Sequence, residues 1–294
     1  MTSKTVLPPL TQIPASLQTI ADYEIEAEKH LPEMVWHYLQ GGAMDEISVR
    51  NNFAQFQNLH LMPRMLRDLT QGNTSCEILG QTFPHPIFVA PIGHQQQFHP
   101  EAETATALAA EVLGSNMILS TFTNTDMRTF KPENPFKWFQ LYWQGDRNKS
   151  LALLKLAEAQ NFTAIVITVD SPHTGIRDRE RRAFFHLPEN MQHPHTPAHI
   201  PLPELQEGDH PVFNGLMKIA PTWDDLAWMV QQTELPILIK GIDSQLDAEL
   251  AIQHDVQGFI VSNHDDRVLY NYLLQSQHFK LLKTPVPHDT PPVT

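Results

Sequence analysis

The decapeptide Gly258 to Arg267, GFIVSNHDDR, passes from an apolar run to a histidine and an arginine. Phe259, Ile260 and Val261 have the character of a buried parallel strand, and the switch to Ser262, Asn263 and His264 is expected where such a strand reaches the rim of its sheet. A histidine there is a candidate general base, although a lone one serves equally well to cap the chain on its way into a helix. Five further apolar runs end in the same manner. They deliver Pro91, Ile92 and Gly93, then Ser120 and Thr121, then Gln140 and Tyr142, then Thr168 and Asp170, and finally Lys240. Each has a structural use of its own: Gln140 can satisfy a backbone group, Asp170 can cap a helix, and Lys240 can be half buried and paired. Taken together they set Lys240, Arg177 and Arg267 against Asp170 and the titratable His264, a balance suited to a small anion. Guanidinium forks match a carboxylate in two-pronged geometry, whereas an ammonium acts as a point charge. With two tyrosines added, the set suits a carboxylate that carries a neighbouring hydroxyl. A phosphosugar isomerase or aldolase competes with that reading; it would use Lys240 as an amine nucleophile and require a glycine-rich phosphate loop.

The elements that must position these groups alternate. Strand-length apolar runs stand at Pro86 to Pro91, Met117 to Thr121, Phe136 to Tyr142, Ala164 to Asp170, Pro236 to Gly241 and Gly258 to Ser262, and helix-patterned stretches such as ETATALAAEVLG and KSLALLKLAEAQ fall between most of them. Alternation of this kind predicts a parallel sheet covered by helices, an α/β fold. No Gly-x-Gly-x-x-Gly turn follows the first strands, which favours a (β/α) barrel over a dinucleotide-binding sheet. Ahead of the strands, ADYEIEAEKHLPEMVWHYLQGGAMDE reads as two short helices broken at Pro32 and stopped by Gly41 and Gly42. Residues 1–19 are proline-rich and are expected to form a flexible arm, with the barrel over 20–270 and a divergent tail over 271–294. Within the barrel, 185–221 reads as an inserted loop, a lid over the strand ends. Its His193, His195 and His199 could bind a metal, but they lack regular spacing and acidic or thiol companions, so no metal is expected.

Composition narrows the classes further. A net charge of -13 with no basic stripe argues against a nucleic-acid partner. The single cysteine, Cys76, rules out an intramolecular disulfide framework. The opening MTSKTVLPPLTQIP lacks the apolar core of a secretory signal, and no run approaches the ~18 apolar residues of a membrane span. A cytoplasmic protein is expected.

At these residues the sequence resembles the FMN-dependent 2-hydroxy-acid oxidase and dehydrogenase family, in particular its lactate-oxidising members. The motifs are YLQGGAMDE from Tyr38, APIG and HPEAE between Ala90 and Glu103, WFQLY from Trp138, TVDSPHTGIRDR from Thr168, PILIKG from Pro236 and SNHDDR from Ser262. The resemblance implies a TIM-type (β/α)8 barrel, FMN as cofactor, a small L-2-hydroxy acid as substrate and a homo-oligomer. It further implies that Tyr38 and Tyr142 bond the substrate's carboxylate and hydroxyl, that Arg177 and Arg267 hold the carboxylate, and that His264, oriented by Asp170, is the base. Pro91, Ile92 and Gly93 would pack against the flavin ring, Ser120, Gln140, Thr168 and Ser262 would bond its polar rim, and Lys240 would lie at the edge that gains charge on reduction. Phe122 would line the substrate side.

Two departures shape the expectations. The family carries glycine directly after its histidine, where this chain has Asp265, whose carboxylate would favour the imidazolium and whose side chain resists the backbone angles open to glycine. The pattern also stops after the sixth strand: no glycine follows Gly258, so no backbone cradle for the FMN phosphate can be drawn. The rival readings are therefore a shortened family member acting as a non-catalytic partner subunit, and a metal-binding or interaction protein built on the histidine-rich loop.

Overall fold

Residue alternation along neighbouring strands builds the sheet. In β6 (Ala164–Thr168) Ile165 and Ile167 face one way and Val166 and Thr168 the other; in β5 (Trp138–Tyr142) Phe139 and Leu141 oppose Trp138, Gln140 and Tyr142. The fold, taken from a computed structural model, is described for residues 5–132, 136–172, 174–191, 193–197 and 200–268. The expected tail over 271–294 and His199 lie outside them.

The chain begins with helices α1 (Ile20–His30), α2 (Glu33–Gln40) and α3 (Ile47–Phe56), followed by a short antiparallel hairpin of β1 (Cys76–Ile78) and β2 (Gln81–Phe83). A capping box at Thr19 and Asp22 starts α1. Residues 5–19 form no helix or strand, yet Leu7 N–H donates to Lys29 O at 2.9 Å and His30 Nδ1 donates to Pro8 O at 2.6 Å, which lays this stretch along α1. Then come β3 (Phe88–Val89), α4 (Ala102–Val112), β4 (Asn116–Leu119), β5, α5 (Arg147–Ala159), β6, α6 (Asp178–Arg182), α7 (Trp223–Val230), β7 (Ile237–Lys240), α8 (Gln245–Gln253) and β8 (Gly258–Ile260).

Strands β3 to β8 pair in sequence order, all in parallel, as one curled six-stranded sheet. All six apolar runs read as strands are strands here, each within a few residues of its expected limits. The sheet is a half-barrel of the TIM type. Its helix-facing side carries the larger core, where Leu119, Phe139, Ile165, Ile167 and Ile239 meet Leu154 and Ala157 of α5, Met229 of α7 and Ala251 of α8. The concave side has a smaller apolar layer of Ile118, Trp138, Ala164, Val166 and Leu238. Above that layer, toward the carboxyl ends, the inward positions turn polar. Among the described residues no helix is long and apolar enough to cross a membrane.

Candidate active site

Register sets the first row of the site. Tyr142 pairs with Thr168 and Thr168 with Lys240, so three adjacent strands place these residues side by side on the concave face at their carboxyl ends. One residue-pair lower on β5, Gln140 takes Ser120 Oγ (3.3 Å) and Thr121 N–H (3.2 Å) on its Oε1 and donates through Nε2 to Thr168 Oγ1 (2.9 Å). Lys240 is buried in this wall and donates to Ser262 Oγ at 2.9 Å. Burial pushes its ammonium below the usual lysine range, and Asp170, Asp243 and Asp265 push it back up.

The second row is a relay. Asp170 Oδ1 lies 2.7 Å from His264 Nδ1, and His264 Nε2 lies 3.1 Å from the Tyr142 hydroxyl. A carboxylate accepts only, so Nδ1 carries the proton and Nε2 is left as the acceptor of the Tyr142 O–H. Burial, reinforced by the charge of Asp170, holds the Tyr142 phenol well above its usual range and keeps it a neutral donor. The backbone makes room for this arrangement at Gly241, where φ is +100° and an added Cβ would fall 2.3 Å from Asp170 Cγ. The loop after β8 is unusual: His264, Asp265 and Asp266 have φ of 54°, 55° and 57°, three left-handed residues in succession. Asp265 thus adopts angles that its side chain was expected to resist. Asp266 O accepts the Ala43 N–H at 2.6 Å and His264 N–H reaches Ser262 Oγ at 3.1 Å, and these contacts pin the turn.

Arg177 and Arg267 converge from different loops. Arg177 Nη1 is 2.8 Å and Arg267 Nη1 3.5 Å from the same oxygen, Glu180 Oε1, while Arg267 Nη2 also donates to the carbonyls of Tyr38 and Leu39. Their guanidinium carbons lie 6.0 and 4.8 Å from the centre of the Tyr38 ring, which stacks on Phe185 at 4.5 Å. Burial raises the Glu180 carboxyl, against the pull of both arginines, and also raises the Tyr38 phenol. Glu180 is the functional residue that the strand-end reading missed. Its only signal is the three-residue spacing from Arg177 in RDRERR, which α6 turns into a contact. The two arginine loops touch through Gly175, whose added Cβ would lie 2.6 Å from both Arg267 O and Val268 O.

Both rows and the arginine pair open on one cavity of about 2270 Å³ through the residues that line it. Its wall includes Tyr38, Pro91, Ile92, Gly93, Ser120, Phe122, Tyr142, Thr168, Arg177, Lys240, Ser262, His264 and Arg267; Gln140 and Asp170 stand behind that wall, bonded to residues within it. The imidazole of the SNH segment and the guanidinium of the TGIR segment therefore share a single chamber. Residues of the 185–221 loop form one side of it, among them Phe185, Leu187, Met191 and Leu216, the last from a single π-helical turn at Pro211–Leu216.

His193 and His195 do not gather. His193 Nε2 lies 2.9 Å from Nδ1 of His94, in the turn after β3, and the His94 ring stacks on Phe122 at 5.4 Å. His195 Nε2 accepts the Met127 N–H at 2.8 Å. Among the described residues no group of three His, Cys, Asp or Glu side chains could hold a metal ion. No spacing rule announced the contact between His94 and His193.

The sequence matches the family model described as FMN-dependent dehydrogenase over residues 27–273. It is 40% identical to an L-lactate oxidase of Roseobacter sp. (strain GAI101), an alignment covering 85% of this chain and 68% of that protein. It is 35% identical to glycolate oxidase of Spinacia oleracea, covering 86% and 70%. Among solved structures, mandelate oxidase with 3,3-difluoro-2-hydroxy-3-phenylpropionic acid superposes with a TM-score of 0.79 at 32% identity, over 89% of this chain and 73% of that one. Strand order, the carboxyl-end placement of the polar groups and these likenesses agree: the chain belongs to the FMN-dependent dehydrogenase family.

Proposed function

We propose that the protein oxidises a small, lactate-like L-2-hydroxy acid to the 2-oxo acid, with FMN as cofactor. The observation that carries this reading is the Asp170–His264–Tyr142 relay opening on the same cavity as two guanidinium groups. Relatives named L-lactate oxidase and glycolate oxidase support it. The rival of a non-catalytic partner subunit is not favoured by a set of relatives named as oxidases. A substrate carboxylate would sit on Arg177 and Arg267, whose side chains are 20% and 17% exposed, with Tyr38 beside them. Its hydroxyl would take the place of the Tyr142 O–H at His264 Nε2, with the Tyr142 hydroxyl turning to bond the same oxygen. His264 then removes the hydroxyl proton onto Nε2, and the Asp170 carboxylate stabilises the imidazolium that results.

The residues present fit the flavin ring of the cofactor. Known ligand cavities run to about 300–1,000 Å³, so this one has room for a planar ring and a small acid together. The wall offers the backbone of Pro91, Ile92 and Gly93 and, beside it, the buried row of Ser120, Gln140 and Thr168, bonded to one another, and Lys240 bonded to Ser262. These residues would hold FMN, which when bound supplies a two-electron acceptor. The exposed apolar side chains of Phe53, Phe56, Leu61 and Met62 support a homo-oligomer. The deciding experiment is anaerobic addition of L-lactate to protein reconstituted with FMN. The visible flavin band should bleach, and His264→Gln should slow the bleaching by roughly 10²–10⁴-fold. A protein that acquires no flavin spectrum, or a variant that bleaches at the wild-type rate, rejects the proposal.

A further inference from the structure

Asp265 is the middle of the three left-handed residues after β8, with φ 55° and ψ 37°. A side chain in that region carries a cost that glycine escapes and asparagine largely escapes. The position is the one where the family resemblance leads to glycine, so the carboxylate is a feature of this chain. Asp265 lines the cavity, and burial raises its carboxyl against the pull of Arg267, His264 and Lys240.

Hydrogen bonding through Ser262 and His264 ties the turn that carries it to the Lys240 ammonium. Ser262 Oγ accepts from Lys240 Nζ at 2.9 Å and from the His264 N–H at 3.1 Å, so one hydroxyl spans the ammonium and the turn that carries Asp265. Three carboxylates act on Lys240: Asp170, Asp243 and Asp265. Asp170 is engaged with His264 through Oδ1, and Asp243 sits in the loop after β7, away from the cavity wall. Of the three, Asp265 alone lines the cavity.

We propose that Asp265 is an electrostatic counterweight to Lys240, a carboxylate that offsets the ammonium where a bound flavin would gain negative charge, and so lowers the readiness of that flavin to accept electrons. The inference rests on FMN occupying the cavity as read above. A negative charge on the cavity wall disfavours the appearance of another nearby. Both the reduced flavin and its complex with sulfite are more negative than the oxidised flavin, so both report on this field without turnover.

The test uses the FMN-loaded protein, with Asp265→Asn and Asp265→Gly, two residues at ease in the left-handed region, and with Asp265→Glu as the charge-keeping control. Sulfite binding is followed by loss of the visible flavin band, and the midpoint potential is measured against a reference dye. Both neutral variants should bind sulfite roughly tenfold more tightly. The same factor in the two-electron potential is a rise of roughly 30 mV, and Asp265→Glu should stay near wild type. Neutral variants that carry FMN but match wild type in sulfite affinity and potential, or shift the other way, overturn the proposal while leaving the functional reading intact. Protein without a flavin band overturns both.

Discussion

Replacing Asp170 by asparagine isolates what its charge does for His264. The side chain is 1% exposed, its Oδ1 is 2.7 Å from His264 Nδ1, and asparagine has the same shape, so the close approach of Gly241 is undisturbed. Two outcomes follow from which end of the amide meets the imidazole. If the amide oxygen does, Nδ1 keeps its proton and Nε2 can still act as a base. The loss is then the difference between a charged and a neutral acceptor, about 1–2 kcal/mol, or roughly 5- to 30-fold in kcat/KM. If the amide nitrogen does, it donates to Nδ1, the proton moves to Nε2, and the base is blocked; a wrong tautomer of this kind costs on the order of 10³–10⁴-fold. The assay is kcat/KM for L-lactate as a function of pH, with FMN content matched between variant and wild type. A variant as active as wild type would refute the claim that the relay orients the base.

Further expectations concern the arginine loops and the insertion. Glu180→Gln removes the one carboxylate shared by two guanidinium groups that are only 20% and 17% exposed, and should lower stability by roughly 1–3 kcal/mol in a urea melt. It should also tighten binding of a small carboxylate such as pyruvate; unchanged stability together with unchanged affinity counts against the shared clamp. Gly175→Ala forces a methyl to within 2.6 Å of two backbone carbonyls, and should cost about 1–3 kcal/mol through displacement of the Arg267 segment. A wild-type denaturation midpoint would contradict the close approach. Burial holds His195 below its ordinary value of 6.5, and its Nε2 must stay unprotonated to accept the Met127 N–H. The folded state therefore binds this proton less readily than the unfolded one, so stability is full above 6.5 and falls as pH drops through the folded value. Melting temperature should decline over that window in wild type and less so in His195→Gln; parallel curves would exclude the effect.

The parts that were legible in the sequence share one cause. A strand with apolar side chains on both faces appears as an unbroken run, and a parallel sheet sends every such run to the same rim, so Tyr142, Thr168, Lys240 and His264 could be assigned to one edge before any coordinates. Loop side chains have no period to read. His193 and His195 are two residues apart, yet one turns to His94 and the other to Met127. Glu180 was hidden for a related reason: a run of acidic and basic residues normally marks a solvated face, and only the fold brings Arg267 to this one. The left-handed turn at His264 to Asp266 was equally illegible, because its angles are imposed by the Asp266 O and Ser262 Oγ contacts and not by local preference.

The stretch from Gly41 to Glu46 has a mechanical consequence. Its Met44 N–H is bonded to Ile176 O at 2.8 Å and its Ala43 N–H to Asp266 O at 2.6 Å, next to the place where Gly175 presses on Arg267. Like a staple through two sheets of paper, it ties both arginine-bearing loops to one segment. On the proposed reading, a substrate carboxylate would then meet two guanidinium groups whose spacing is set by one shared strap of chain.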